Sequence, residues 1–98
     1  MREVVITGIG IISSLGNNIS EVTNSLRNLN SGISKNIINM ELGLRSHVSG
    51  SIQNLDPKEL IDRKLYRFMG DAAAYAYLST EEAIKDASLN DSELSNQK

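Results

Sequence analysis

Nine consecutive residues near the amino terminus, Val4-Val5-Ile6-Thr7-Gly8-Ile9-Gly10-Ile11-Ile12, are almost wholly apolar and mostly β-branched. A continuous apolar run of this length reads as a β-strand buried on both faces, since a strand with one face in water alternates apolar and polar residues. Such a strand needs strand neighbours in its sheet and helices above and below it. No second run of this kind exists in the 98 residues, and a chain of this size buries only about 60–70% of its unfolded surface. The expected class is therefore α/β, with the chain forming part of a larger body. Gly8 and Gly10 remove side chains where another backbone or a ligand comes close, and Ser13-Ser14-Leu15-Gly16-Asn17-Asn18 is a turn rich in residues that tolerate unusual dihedrals.

A glycine-rich turn after a buried strand raises a dinucleotide site as an alternative. That fingerprint needs a third small residue placed so that a helix starts directly beneath the pyrophosphate. Here Ser13 stands at the third position and the expected helix start, Ser20, lies seven residues further on. The helix amides are misplaced for a phosphate, and Glu41, the only candidate for a ribose-binding acid, follows no convincing second strand. A core strand packed closely against another element accounts for the glycines better.

The second organising stretch is Asp62–Ala87, expected to be one long helix. Ala73, Ala76, Thr80, Ala83 and Ala87 fall at i, i+3, i+7, i+10 and i+14 and make a stripe of small side chains, the mark of a helix pressed between neighbours. Its start carries Arg63, Lys64 and Arg67, which share a broad face at helical spacing. A solvated charged face is the plain reading of these three. Clustered positive charge also speeds encounter with an acidic partner and orients it.

Between these stretches, Ser20 caps an expected short helix whose Ile19, Val22, Leu26 and Leu29 share one face. Residues 33–44 read as a loop with at most a short helical turn, and Arg45–Ile52 as a short edge strand or extended arm. Asp56-Pro57-Lys58-Glu59 combines an N-cap acid, a proline at the first helical position and a following glutamate, a strong helix start. Leu89-Asn90-Asp91-Ser92-Glu93 reads as a turn into a further helix. No repeat or linker divides the chain, so residues 1–98 are expected to hold no internal domain boundary.

Several chemistries are excluded or weak. There is no cysteine, hence no disulfide, thiolate metal site or cysteine nucleophile within the chain. His47, the single histidine, has no serine–acid or metal-ligand constellation around it in sequence and is expected to make a structural hydrogen bond. Glu81 and Glu82 are adjacent, so on a helix they point about 100° apart and do not form a facing acid–base pair. A net charge of −2 with 40% hydrophobic residues fits neither a nucleic-acid binder nor a disordered tail. The charge is uneven: residues 1–70 hold eight Lys and Arg against six Asp and Glu, and residues 71–98 two against six. The amino-terminal apolar run is interrupted by Thr7, Gly8 and Gly10, so neither a secretory signal nor a membrane span is expected, and the cytoplasm is the expected location.

Four segments in order, Val5–Asn17, Ser31-Gly32-Ile33, Arg45-Ser46-His47-Val48 and Ile61-Asp62-Arg63-Lys64 through Ala72, closely resemble the amino-terminal part of β-ketoacyl-[acyl-carrier-protein] synthases. Each is weak alone; together they cover nearly the whole chain. Arg-Ser-His-Val and Asp-Arg-Lys look most like the type I enzymes of bacterial fatty-acid synthesis. The resemblance implies a thiolase-like fold of α-β-α-β-α layers, of which this chain supplies the start of the first half, and a homodimer. It implies decarboxylative Claisen condensation with a malonyl group carried on acyl carrier protein, no cofactor, and catalytic cysteine and histidine positions outside these residues. It further implies that Arg63, Lys64 and Arg67, with Arg45, face the acidic helix of the carrier. The same residues are open to two other readings: a nucleotide-binding α/β domain using Gly8 and Gly10, and a non-catalytic module for an acidic partner.

Overall fold

The computed structural model describes residues 2–94. In chain order the elements are α1 (Ile19–Arg27), β1 (Ile33–Lys35), α2 (Ile37–Glu41), β2 (Val48–Gly50), α3 (Pro57–Leu60), α4 (Arg63–Tyr66), α5 (Asp71–Ala87) and α6 (Asp91–Leu94). They fall into two compact units: Ile12–Leu55, and the residues up to Ile11 together with those from Asp56 onward.

In the unit Ile12–Leu55, α1 starts earlier than its sequence suggests. Asn18, rather than Ser20, is the N-cap, its Oδ1 accepting from the Glu21 N–H at 2.9 Å. Asn and Ser cap comparably well, so the earlier residue captures the turn. Of the apolar face only Val22 is buried, whereas Leu26 and Leu29 stay exposed. β1 and β2 pair antiparallel, with Ile33 opposite Gly50, Ser34 opposite Ser49 and Lys35 opposite Val48. β2 lies within the extended arm expected over Arg45–Ile52; β1 was not legible, because three residues are too few to display a period. The Asn36 N–H donates to the His47 carbonyl at 2.7 Å, extending the hairpin, and the Asn36 side chain caps α2 through the Asn39 N–H.

In the other unit α5 is the main element, a helix of 17 residues. It is not continuous with the basic stretch: the single helix expected over Asp62–Ala87 is two. Phe68 and Met69 donate to Leu65 and Tyr66 in tight three-residue turns, and Gly70 then turns extended at φ −83° and ψ 178° to become the N-cap of α5. Glycine gains little from staying helical, which explains the break there. At the far end Ser88 adopts φ 58°, and the Leu89 N–H closes on the Ile84 carbonyl at 3.2 Å. Asn90 and Glu93 exchange backbone and side-chain hydrogen bonds in a capping box that starts α6.

The apolar run Val4–Ile12 forms no ladder with any described strand. Its glycine part packs on α5 instead. A Cβ at Gly8 would strike Ala83 and Ala87, and one at Gly10 would strike Ser79 and Ala83. Two residues along the run thus match four along the helix, as an extended rise of about 3.3 Å against a helical 1.5 Å requires. The Ile9 N–H donates to the Asp86 carboxylate at 3.0 Å and the Ile11 N–H to Glu82 at 2.9 Å, so two carboxylates one helical turn apart satisfy backbone donors that a sheet would otherwise take. Val4, Val5 and Ile6 are largely exposed, and the buried hydrophobic residues among those described are Val22, Ile61 and Ala74.

Candidate functional site

The basic stretch is built from two short helices. Asp56 caps α3 through the Lys58 N–H at 3.1 Å with Pro57 at the first position, and Asp62 caps α4 through the Lys64 N–H at 3.2 Å. Ile61, buried and extended, joins them. The helical turn of α4 carries through Arg67, whose N–H donates to the Arg63 carbonyl, and this stacks Arg63 and Arg67 one above the other. With Lys58 and Tyr66 they line a cavity of about 400 Å³. The Arg67 guanidinium lies 4.8 Å from the centre of the Phe68 ring, which is itself largely exposed.

Of the four residues expected at a docking surface, the structure therefore joins Arg63 and Arg67 at one cavity. Lys64 is exposed on the same helix but outside that lining, because its side chain leaves the helix about 100° round from Arg63. Arg45 is exposed in the segment between α2 and β2, in the other unit. Sequence spacing missed Lys58 and Tyr66. Lys58 lies on a separate helix, out of register with Arg63, and the signal that could have exposed it was the density of cations from 58 to 67.

Gly8 and Gly10 are filled by α5, which occupies the space a nucleotide would need. His47 is exposed and takes part in the hairpin through its carbonyl. Ala73, Ala76 and Thr80 line an open groove of about 580 Å³ with Met69, Tyr77 and Ile84, while Ala83 and Ala87 lie under the glycine run. Beside this groove Glu81 holds the Tyr77 phenol above its ordinary pKa, first by a hydrogen bond and then by its charge. Among the described residues no cluster of metal-ligating side chains occurs, and no helix is long and apolar enough to cross a membrane.

Comparison with known proteins adds the family. The chain is 58% identical over 96 residues to 3-oxoacyl-[acyl-carrier-protein] synthase 1 of Haemophilus influenzae, covering 98% of this chain and 23% of that protein. It is 53% identical over 90 residues to the synthase 1 of Escherichia coli, covering 92% and 22%. Against the 3-oxoacyl-[acyl-carrier-protein] synthase 2 of Staphylococcus aureus the identity is 36% over 91 residues, covering 91% and 22%. The chain thus spans less than a quarter of the length of these relatives. The family model for the β-ketoacyl synthase N-terminal domain matches residues 1–98, and the chain belongs to that family.

Proposed function

We propose that these residues are the amino-terminal part of a β-ketoacyl-[acyl-carrier-protein] synthase that elongates acyl chains in bacterial fatty-acid synthesis. In that reaction an acyl group passes from its carrier to a cysteine thiol. Malonyl-carrier then loses carbon dioxide, and the carbanion left behind attacks the acyl thioester, forming a carbon–carbon bond and expelling the thiolate. The present residues, having no cysteine, act as scaffold and docking surface. They form one piece of the first half of a thiolase-like α-β-α-β-α fold, in a cytoplasmic homodimer. The exposed apolar run at Val4–Ile6 supports that placement, since further strands would cover it.

The observation that carries the docking role is the convergence of exposed Arg63 and Arg67 on one cavity, with Lys64 beside it. An acidic carrier, acyl- or malonyl-loaded, meets this face, and Arg45 is an outlying member by the family resemblance. In the full-length protein, reversing Arg63→Glu and Lys64→Glu together weakens carrier binding by about tenfold or more, since each such contact at an interface rim contributes on the order of 1 kcal/mol. Carrier affinity that stays unchanged in the double variant removes the docking role.

A further inference from the structure

The basic face carries an apolar feature that charge alone does not explain. Phe68, just past α4, is 81% exposed, Leu65 before it is exposed too, and the Phe68 N–H donates to the Leu65 carbonyl at 3.2 Å. In such a three-residue turn positions i and i+3 lie one above the other, so the two apolar side chains share one side of the chain. The cations adjoin them: the Arg67 guanidinium rests 4.8 Å from the centre of the Phe68 ring, and Arg63 stacks on Arg67.

That contact decides what kind of cover suits the ring. The guanidinium is charged at any ordinary pH, and among the described residues no carboxylate pairs with it. Covering Phe68 with apolar core from the same chain would also take the charge out of water, which is unfavourable unless a carboxylate arrives with the cover. A surface that is apolar at its centre and acidic at its margin meets both needs, as does an acidic helix with an apolar side chain between its carboxylates.

We infer that Phe68, with Leu65 beside it, is the apolar anchor of the carrier-docking face, and that Arg63, Lys64 and Arg67 form its charged rim. The inference rests on the docking role proposed above and divides the work within it. Rim charges steer the encounter and are screened by salt, whereas a buried aromatic anchor slows release at any ionic strength.

The test measures association and dissociation rates of the acyl-loaded carrier on the full-length protein, at low and at high ionic strength. F68A is expected to raise the dissociation rate about tenfold at both, with the association rate within about twofold. F68L, which keeps most of the apolar area, loses less than about threefold. The carrier-free F68A protein keeps the denaturant midpoint of its parent. Reversing Arg63 and Lys64 to Glu instead slows association, by a factor that shrinks as salt rises. An unchanged dissociation rate in F68A overturns the anchor. So does a lowered F68A midpoint, which would show the ring covered by the rest of the chain, and so does an F68A loss that disappears at high salt, which would show the ring acting only as a seat for Arg67. If the double reversal weakens binding and F68A does not, the docking role stands without the anchor; if neither weakens it, both fall.

Discussion

Tyr77 and Glu81 sit one helical turn apart on α5, and the carboxylate keeps the phenol protonated beyond its ordinary value of 10.0. A phenol pKa raised by folding means the folded form holds the proton more tightly. Its contribution to stability is then complete below the ordinary value and is lost as pH rises through the folded one. Glu81→Gln is expected to bring the Tyr77 titration back toward 10.0, read as phenolate absorbance in an alkaline titration corrected with Tyr77→Phe. A titration that does not move in Glu81→Gln would show that the carboxylate is not the cause. The pairing was visible as i and i+4 in the sequence, yet a tyrosine beside a glutamate on a helix is common enough to pass unnoticed. Arg63 and Arg67 were legible for the same geometric reason, and Lys58 was not, because buried Ile61 breaks the helical register between them.

At the level of elements, Gly8 and Gly10 were read as a place of close approach, and so they are, with α5 as the neighbour. The small stripe on α5 marks a face that needs neighbours to be covered along its length, and most of those neighbours were expected to lie outside these residues. Only its Ala83–Ala87 end is covered, by the glycine run, while Ala73, Ala76 and Thr80 remain beside an open groove. The difference arises because two glycines cover only about one helical turn of surface. A Cβ at Gly10 falls on the Ser79 carbonyl, which belongs to the helix backbone and has no rotamer by which to withdraw. Gly10→Ala is therefore expected to destabilise the full-length protein by about 1–3 kcal/mol, the usual range for overpacking, seen as a lower denaturant midpoint with an unchanged slope. Gly70 supplies the contrast, since nothing lies within 4 Å of a Cβ there and its φ of −83° suits any residue. Gly70→Asp, by adding the missing N-cap acceptor at α5, should raise stability by a few tenths of a kcal/mol, seen as a higher denaturant midpoint.

On the scale of the whole chain, the α/β class was legible from one apolar run and one helical stripe, but the sheet that the run requires is not formed by these residues. The strand hydrogen-bonding groups of Ile9 and Ile11 turn to Asp86 and Glu82, and Val4, Val5 and Ile6 stand in solvent at 93%, 72% and 86% exposure. An extended apolar segment with open backbone groups is a template for pairing with another chain. The 98 residues expressed alone are accordingly expected to lack a sharp thermal transition and to associate as concentration rises, while the full-length protein unfolds cooperatively. Calorimetry and light scattering over a concentration series measure both properties. A sharp, concentration-independent transition from a monomer would instead mean that α5, with its glycine and carboxylate contacts to the run, suffices as a core. These residues would then form an independent module whose basic cavity meets an acidic partner without the rest of a synthase.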